Sequence, residues 1–151
     1  MKRINFILLM VMLMTINSCA ETNPDKSNNN ETLTMIDKIS PFEAIENNGQ
    51  YTIIAPIESD ALFNRYYLFF EKHGYEGNGY CWEGHIIQIL EKEDKELLNH
   101  FDFDSEAGAF YAYADSKEAQ NRFVNLLGPI FSDLEKLEQY VKSADRSKID
   151  D

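Results

Sequence analysis

The sequence predicts an α+β fold: a single domain with a small antiparallel sheet and helices packed on one side. Three observations carry this prediction. Apolar residues switch between a period of two and a period of 3.6 in the order strand, strand, helix, helix, strand, strand, helix, helix. Asn47-Asn48-Gly49 lies between the first two strands, and Asn-Gly favours the positive-φ turn that matches strand twist. Strand pairs separated by helix pairs build segregated layers rather than parallel β-α-β units.

Phe42–Glu46 and Tyr51–Ile57 read as the first hairpin. Ser59 or Asp60 can cap a helix over Ala61–Lys72, where Leu62, Phe63, Tyr66, Tyr67 and Phe70 follow the helical period. Next comes a loop, Gly74 to Trp82, holding Gly74, Gly77, Gly79, Tyr75, Tyr80 and the only tryptophan. A second helix is predicted over Trp82–Asn99, with Ile86, Ile87, Leu90, Leu97 and Leu98 as its apolar stripe and Glu91–Glu96 as a solvated charged face. Phe101–Phe103 and Ala109–Ala114 read as strands joined by a turn at Asp104–Gly108. Phe110, Ala112 and Ala114 share one face, and Tyr111 and Tyr113 the other. Asp115 with Glu118 resembles a capping box for a third helix lined by Phe123, Leu126 and Leu127, which Gly128-Pro129 should break or kink. Ser132 with Glu135 opens a last helix through Leu134, Leu137 and Val141. The polar end from Ala144 is expected to fray, so the domain is assigned to residues 41–144 and the tail to 145–151.

Residues 1–18 read as an export signal. Lys2 and Arg3 precede an apolar run from Phe6 to Met14, too short to span a bilayer. Ile16-Asn17-Ser18-Cys19 then resembles a bacterial lipoprotein signal, which makes Cys19 the lipidation site. The alternatives are an ordinary secretory signal or a short uncleaved anchor. Acyl chains hold a protein at a membrane through about 0.8 kcal/mol per buried methylene. Residues 19–40, rich in Asn, Ser and Thr, form a tether with an end-to-end distance of roughly 25 Å.

The 151-residue chain has a net charge of -12, and losing Lys2 and Arg3 with the signal moves it to -14. An acidic chain lacks the basic patch that nucleic acid or an anionic membrane face requires. It suits solubility, or steering toward a basic partner. With Cys19 lipidated, Cys81 has no intramolecular partner and reads as a small buried residue.

No catalytic or cofactor motif emerges. The glycines at 74, 77 and 79 follow a helix and lack a Lys-Ser or Lys-Thr, so phosphate binding is not expected. Asp102, Asp104 and Glu106 fail the calcium-loop pattern, since Gly108 falls seventh and Tyr113 twelfth. His73, His85 and His100 have no metal-ligand spacing. No cofactor, metal or enzymatic activity is therefore expected. The aromatic loop is either a core plug or a binding surface. Trp82 and Tyr80 are assigned mainly to the core, and Tyr75 and Glu76 to the exposed contact pair.

Gly77-Asn78-Gly79-Tyr80 followed by Trp82, together with Asp104 through Phe110, resembles the immunity protein 51 family of bacterial toxin–immunity systems. The resemblance runs from about Phe42 to Ala144. It implies a non-catalytic protein that binds and blocks a cognate toxin. Tyr75, Glu76, Asn78, Tyr80, Asp104 and Glu106 are the contact candidates, and Gly74, Gly77, Gly79, Trp82, Gly108 and Phe110 form the structural motif. Cys81 stands where the family would place a polar residue. A lipid anchor would put such a protein in the cell envelope, facing the periplasm or the cell surface. Its toxin would then be caught in transit or would attack the envelope. The rival readings are an envelope lipoprotein that binds a small ligand or envelope component, and an envelope hydrolase.

Overall fold

The computed structural model describes residues 41–150. The export signal, Cys19 and the tether lie outside the described residues. Four strands form one antiparallel sheet: β1 (Glu43–Asn47), β2 (Gln50–Ala55), β3 (Phe101–Phe103) and β4 (Phe110–Ala114), in the order β1-β2-β4-β3. Among the described residues four α-helices accompany it: α1 (Asp60–Lys72), α2 (Gly79–Glu93), α3 (Lys117–Phe131) and α4 (Leu134–Ser143). The predicted α+β class and helix count hold. The two hairpins meet through β2 and β4, where Ile53 pairs with Ala112 and Ala55 with Phe110.

The first hairpin closes as its sequence dictates. Asn47 pairs with Gln50, and Asn48 and Gly49 take φ of 50° and 81°. Ile53, Ala55, Phe110 and Ala112 are fully buried on the helix-covered face, while Tyr111 and Tyr113 lie half-buried on the other. The core is aromatic. The Phe42 ring meets Trp82, Phe110, Phe123 and Phe131 edge-on at 5.1 to 6.3 Å.

Several boundaries differ from the sequence reading. The second helix stops at Glu93, and residues 95–100 form a 3-10 turn that closes back toward β3. Asp94, at the break, pairs with Arg122 of α3 at 2.7 Å. Ser116, not Asp115, caps α3 by accepting from Ala119 N at 3.2 Å, and Asp133, not Ser132, caps α4. Pro129 neither breaks nor ends α3. It sits in the last turn, and just past it α1 supplies donors to the carbonyls that the helix end leaves open. Tyr66 donates to Phe131 O at 2.7 Å and Arg65 donates to Ser132 O. A cation at a helix C-terminus also opposes the dipole. Burial pushes the Tyr66 hydroxyl up to about 12, so it stays a donor at any physiological pH.

The tail is docked rather than frayed. Ile149 is buried against Gly84 of α2, and Gln88 brackets residue 145, accepting from Asp145 N at 2.7 Å and donating to Asp145 O at 3.1 Å.

Glu138 of α4 gathers basic side chains: Lys72 at 2.8 Å and the His73 ring at 3.2 Å from the end of α1, and Lys142 of its own helix at 3.1 Å. Hydrogen bonds from Lys72 and Lys142 hold its carboxyl down to about 2, below its ordinary value of 4.5. A depressed carboxyl contributes stability above its unfolded pKa and loses it as pH falls through the folded one. Glu138→Gln should therefore lower the melting temperature at pH 7. The deficit should shrink below pH 4.5 and be mostly gone at pH 2. Thermal melts across that range check this, and a pH-independent deficit would contradict it.

Candidate functional site: the joined glycine loop and hairpin turn

The two segments singled out in the sequence meet in space. The first begins at the C-terminus of α1. Gly74, at φ 80°, reverses the chain, with its own N–H bonded to Glu71 O at 2.9 Å and Tyr75 N–H to Phe70 O at 3.1 Å. This left-handed cap satisfies the last carbonyls of α1. Gly77, at φ 71°, then crosses the Phe70 ring so closely that a Cβ would lie 3.1 Å from Phe70 Cβ. Asn78 caps α2 by accepting from Cys81 N at 2.9 Å. The glycine loop is therefore Gly74–Asn78 alone, and Gly79 through Trp82 form the first turn of α2.

That first turn is bolted to the β3–β4 turn. Gly79 N–H donates to Ala107 O at 3.0 Å. A Cβ on Gly79 would run into the Glu106 and Ala109 carbonyls, 2.8 Å from Ala109 C. Glu83 of α2 accepts from Ser105 N at 3.2 Å, and the Ser105 hydroxyl accepts from Tyr111 N at 3.3 Å. Glu106 and Ala109 close the turn with reciprocal backbone bonds of 2.9 and 3.2 Å. Gly108 accepts from Glu58 N at 3.2 Å and leaves room for the Glu58 carboxyl.

Burial reverses two expectations. Tyr75 is 8 % exposed, not a free contact residue. Its ring packs edge-on against His85 at 4.6 Å, with the Arg146 guanidinium 4.1 Å above it. Tyr80, expected in the core, is 39 % exposed. Its hydroxyl lies 3.5 Å from Glu106 Oε2, and the charge of Glu106, then desolvation and the hydrogen bond to Glu106, with lesser contributions from Asp150 and Asp104, raise the phenol above its ordinary value. Glu76 is exposed as expected, and accepts from Asn78 Nδ2 at 3.2 Å. Trp82, Cys81 and Phe110 are fully buried, as the sequence predicted for Trp82 and Cys81.

Phe63 and Tyr67 are the functional candidates that the sequence reading missed. Both follow the helical period with Leu62, Tyr66 and Phe70, but the two rings stack on the surface of α1 at 4.7 Å and an 18° interplanar angle. They border a groove of about 160 Å³ that also touches Ile57, Glu58, Glu76, Asn78 and Ala107. The signal was available in the spacing. Leu62, Tyr66 and Phe70 already fill the buried stripe, which leaves residues 63 and 67 on its edge.

Tyr80 and Glu106 meet at one edge of the domain, and their near neighbours in the chain, Asn78 and Ala107, line the groove, so an aromatic and acidic edge adjoins it. Among the described residues, no Lys or Arg pairs with Glu58, Asp104 or Glu106. Among the described residues no cluster of His, Cys, Asp and Glu could hold a metal ion, and no helix is long and apolar enough to cross a membrane.

A family model described as immunity protein 51 matches residues 57–146. No curated protein and no solved structure matches the chain. The match begins at the end of the first hairpin and takes in α1 to α4, the glycine loop and the β3–β4 turn. Immunity proteins are a class that neutralises toxins and is generally non-catalytic. With all four α-helices of the described residues and both halves of the joined motif inside the match, this chain belongs to the immunity protein 51 family.

Proposed function

We propose that the chain is a lipid-anchored immunity protein that binds and neutralises a cognate toxin through its aromatic and acidic edge. One observation carries the choice of surface. Tyr80 is held in the open on the first turn of α2, with Glu106 at its hydroxyl and Asp104 nearby. Its support is backbone, through the Gly79 to Ala107 bond and the Asn78 cap, so little ordering is left for binding to impose. Exposed tyrosine beside carboxylates is the chemistry of an interface anchor for a basic partner. The residues around it serve as shape and charge, not as a catalytic constellation.

Calorimetry with a cognate toxin domain tests this surface. The chain from Ala20 onward should form a stoichiometric complex. Tyr80→Ala combined with Glu106→Ala should weaken it by about 2 kcal/mol or more, roughly 30-fold, with the melting temperature nearly unchanged. Unchanged affinity would place the interface elsewhere.

Cys19 supplies the location in this reading. An anchor at Cys19 and a tether to residue 40 would hold the domain in the envelope, where an exported toxin passes. Cys19→Ala should release the full chain from the membrane fraction. Continued retention would rule out lipidation as the tether.

A further inference from the structure

The groove beside Tyr80 combines features that select a ligand chemistry. It is lined by the buried Ile57 and by the stacked Phe63 and Tyr67, residues 45 % and 38 % exposed. Glu58 and Glu76 stand at its rim. At about 160 Å³ the groove is well below the roughly 300 Å³ at which small-molecule pockets begin, and it suits one long side chain. Two flat exposed rings flanked by carboxylates attract a cation that can stack and hydrogen-bond at once.

We infer that this groove seats an arginine side chain of the protein partner. The partner's identity rests on the immunity reading, but the cation chemistry does not. A guanidinium is planar and weakly hydrated, so it can lie on an aromatic face while its edge donates to carboxylates. The molecule uses the same contact internally, with Arg146 over Tyr75 at 4.1 Å and Arg65 over Tyr66 at 5.6 Å. Residues 41–150 carry 10 Lys and Arg against 21 Asp and Glu, a net charge of -11, which would draw a basic segment to this edge. Phe63 and Tyr67 sit four residues apart on a helix whose buried side is complete without them.

The test uses two probes. In an amide-resolved NMR titration of the chain from Ala20 onward, acetyl-arginine amide should shift Phe63, Tyr67, Gly77 and Asn78 in a saturable way. Acetyl-citrulline amide, its uncharged counterpart, should bind about tenfold or more weakly. Glu58→Gln with Glu76→Gln should weaken the arginine probe by a similar factor. Equal binding of the two probes, or shifts spread evenly over the acidic surface, would overturn the inference. Phe63→Ala with Tyr67→Ala should also weaken the toxin complex at least tenfold while the protein stays folded. A complex of unchanged affinity overturns the groove but leaves the immunity reading standing. If no complex forms with the native chain, the immunity reading fails, and the titration still decides the groove.

Discussion

Replacing Gly79 with alanine is expected to destabilise the domain by about 3 kcal/mol or more, the upper end for overpacking, because the obstacle is backbone. The new methyl would collide with the carbonyls of Glu106 and Ala109, which are locked to each other across the turn. No rotamer change relieves such a clash. Either the first turn of α2 lifts away and loses the Gly79 to Ala107 bond, or the β3–β4 turn opens. Both routes displace Tyr80 relative to Glu106, so partner binding should fall with stability. Gly128→Ala is the control within the same fold. It lies inside α3 with nothing within 4 Å of an added Cβ, and should stabilise by about 0.5–1 kcal/mol. Urea denaturation of the two variants should give shifts of opposite sign. A Gly79→Ala protein of native stability would mean that the joint between loop and turn is looser than described.

Trp82→Ala is expected to cost about 3–5 kcal/mol. Against a usual domain stability of about 5–15 kcal/mol, this leaves a marginal or unfolded protein. The indole is fully buried, with Tyr66 at 4.8 Å, Phe131 at 5.0 Å, Phe70 at 5.9 Å and Phe42 at 6.3 Å. Those rings come from α1, α3 and the residue before β1, so one truncation loosens three attachments at once. Trp82→Phe should recover most of the loss. Chemical denaturation of both variants checks the ranking, and a loss below about 1 kcal/mol for alanine would mean that the cavity collapses without resistance.

Much of the fold was legible because its signals are local. Asn48-Gly49 specified a two-residue turn, and alternation placed Phe110 and Ala112 inward with Tyr111 outward. The errors arose where a tertiary contact decides. Starting α2 at Gly79 rather than Trp82 places Tyr80 in the exposed first turn. The left-handed Gly74 turns Tyr75 inward onto His85, against a preference that a polar loop would suggest. The carbonyls that the end of α3 leaves open, just past Pro129, are served by Tyr66 and Arg65, more than sixty residues earlier. Ile149 is buried by a glycine in another helix, and a lone isoleucine in a polar tail carries no periodicity to reveal that. For the site, the paired segments 74–82 and 104–110 were visible as composition, but their contact was not. The exposed Phe63–Tyr67 pair was concealed among neighbouring aromatic residues that do belong to the core.

The central claim is that this chain neutralises a toxin by binding it. The direct measurement is bacterial growth during induced expression of a cognate toxin domain, with and without this chain in the same compartment. The account predicts that the native chain restores growth and that Tyr80→Ala with Glu106→Ala, folded and equally abundant, restores it poorly. Growth arrest that persists with the native chain present, alongside the absence of any complex between the two purified proteins, would contradict it.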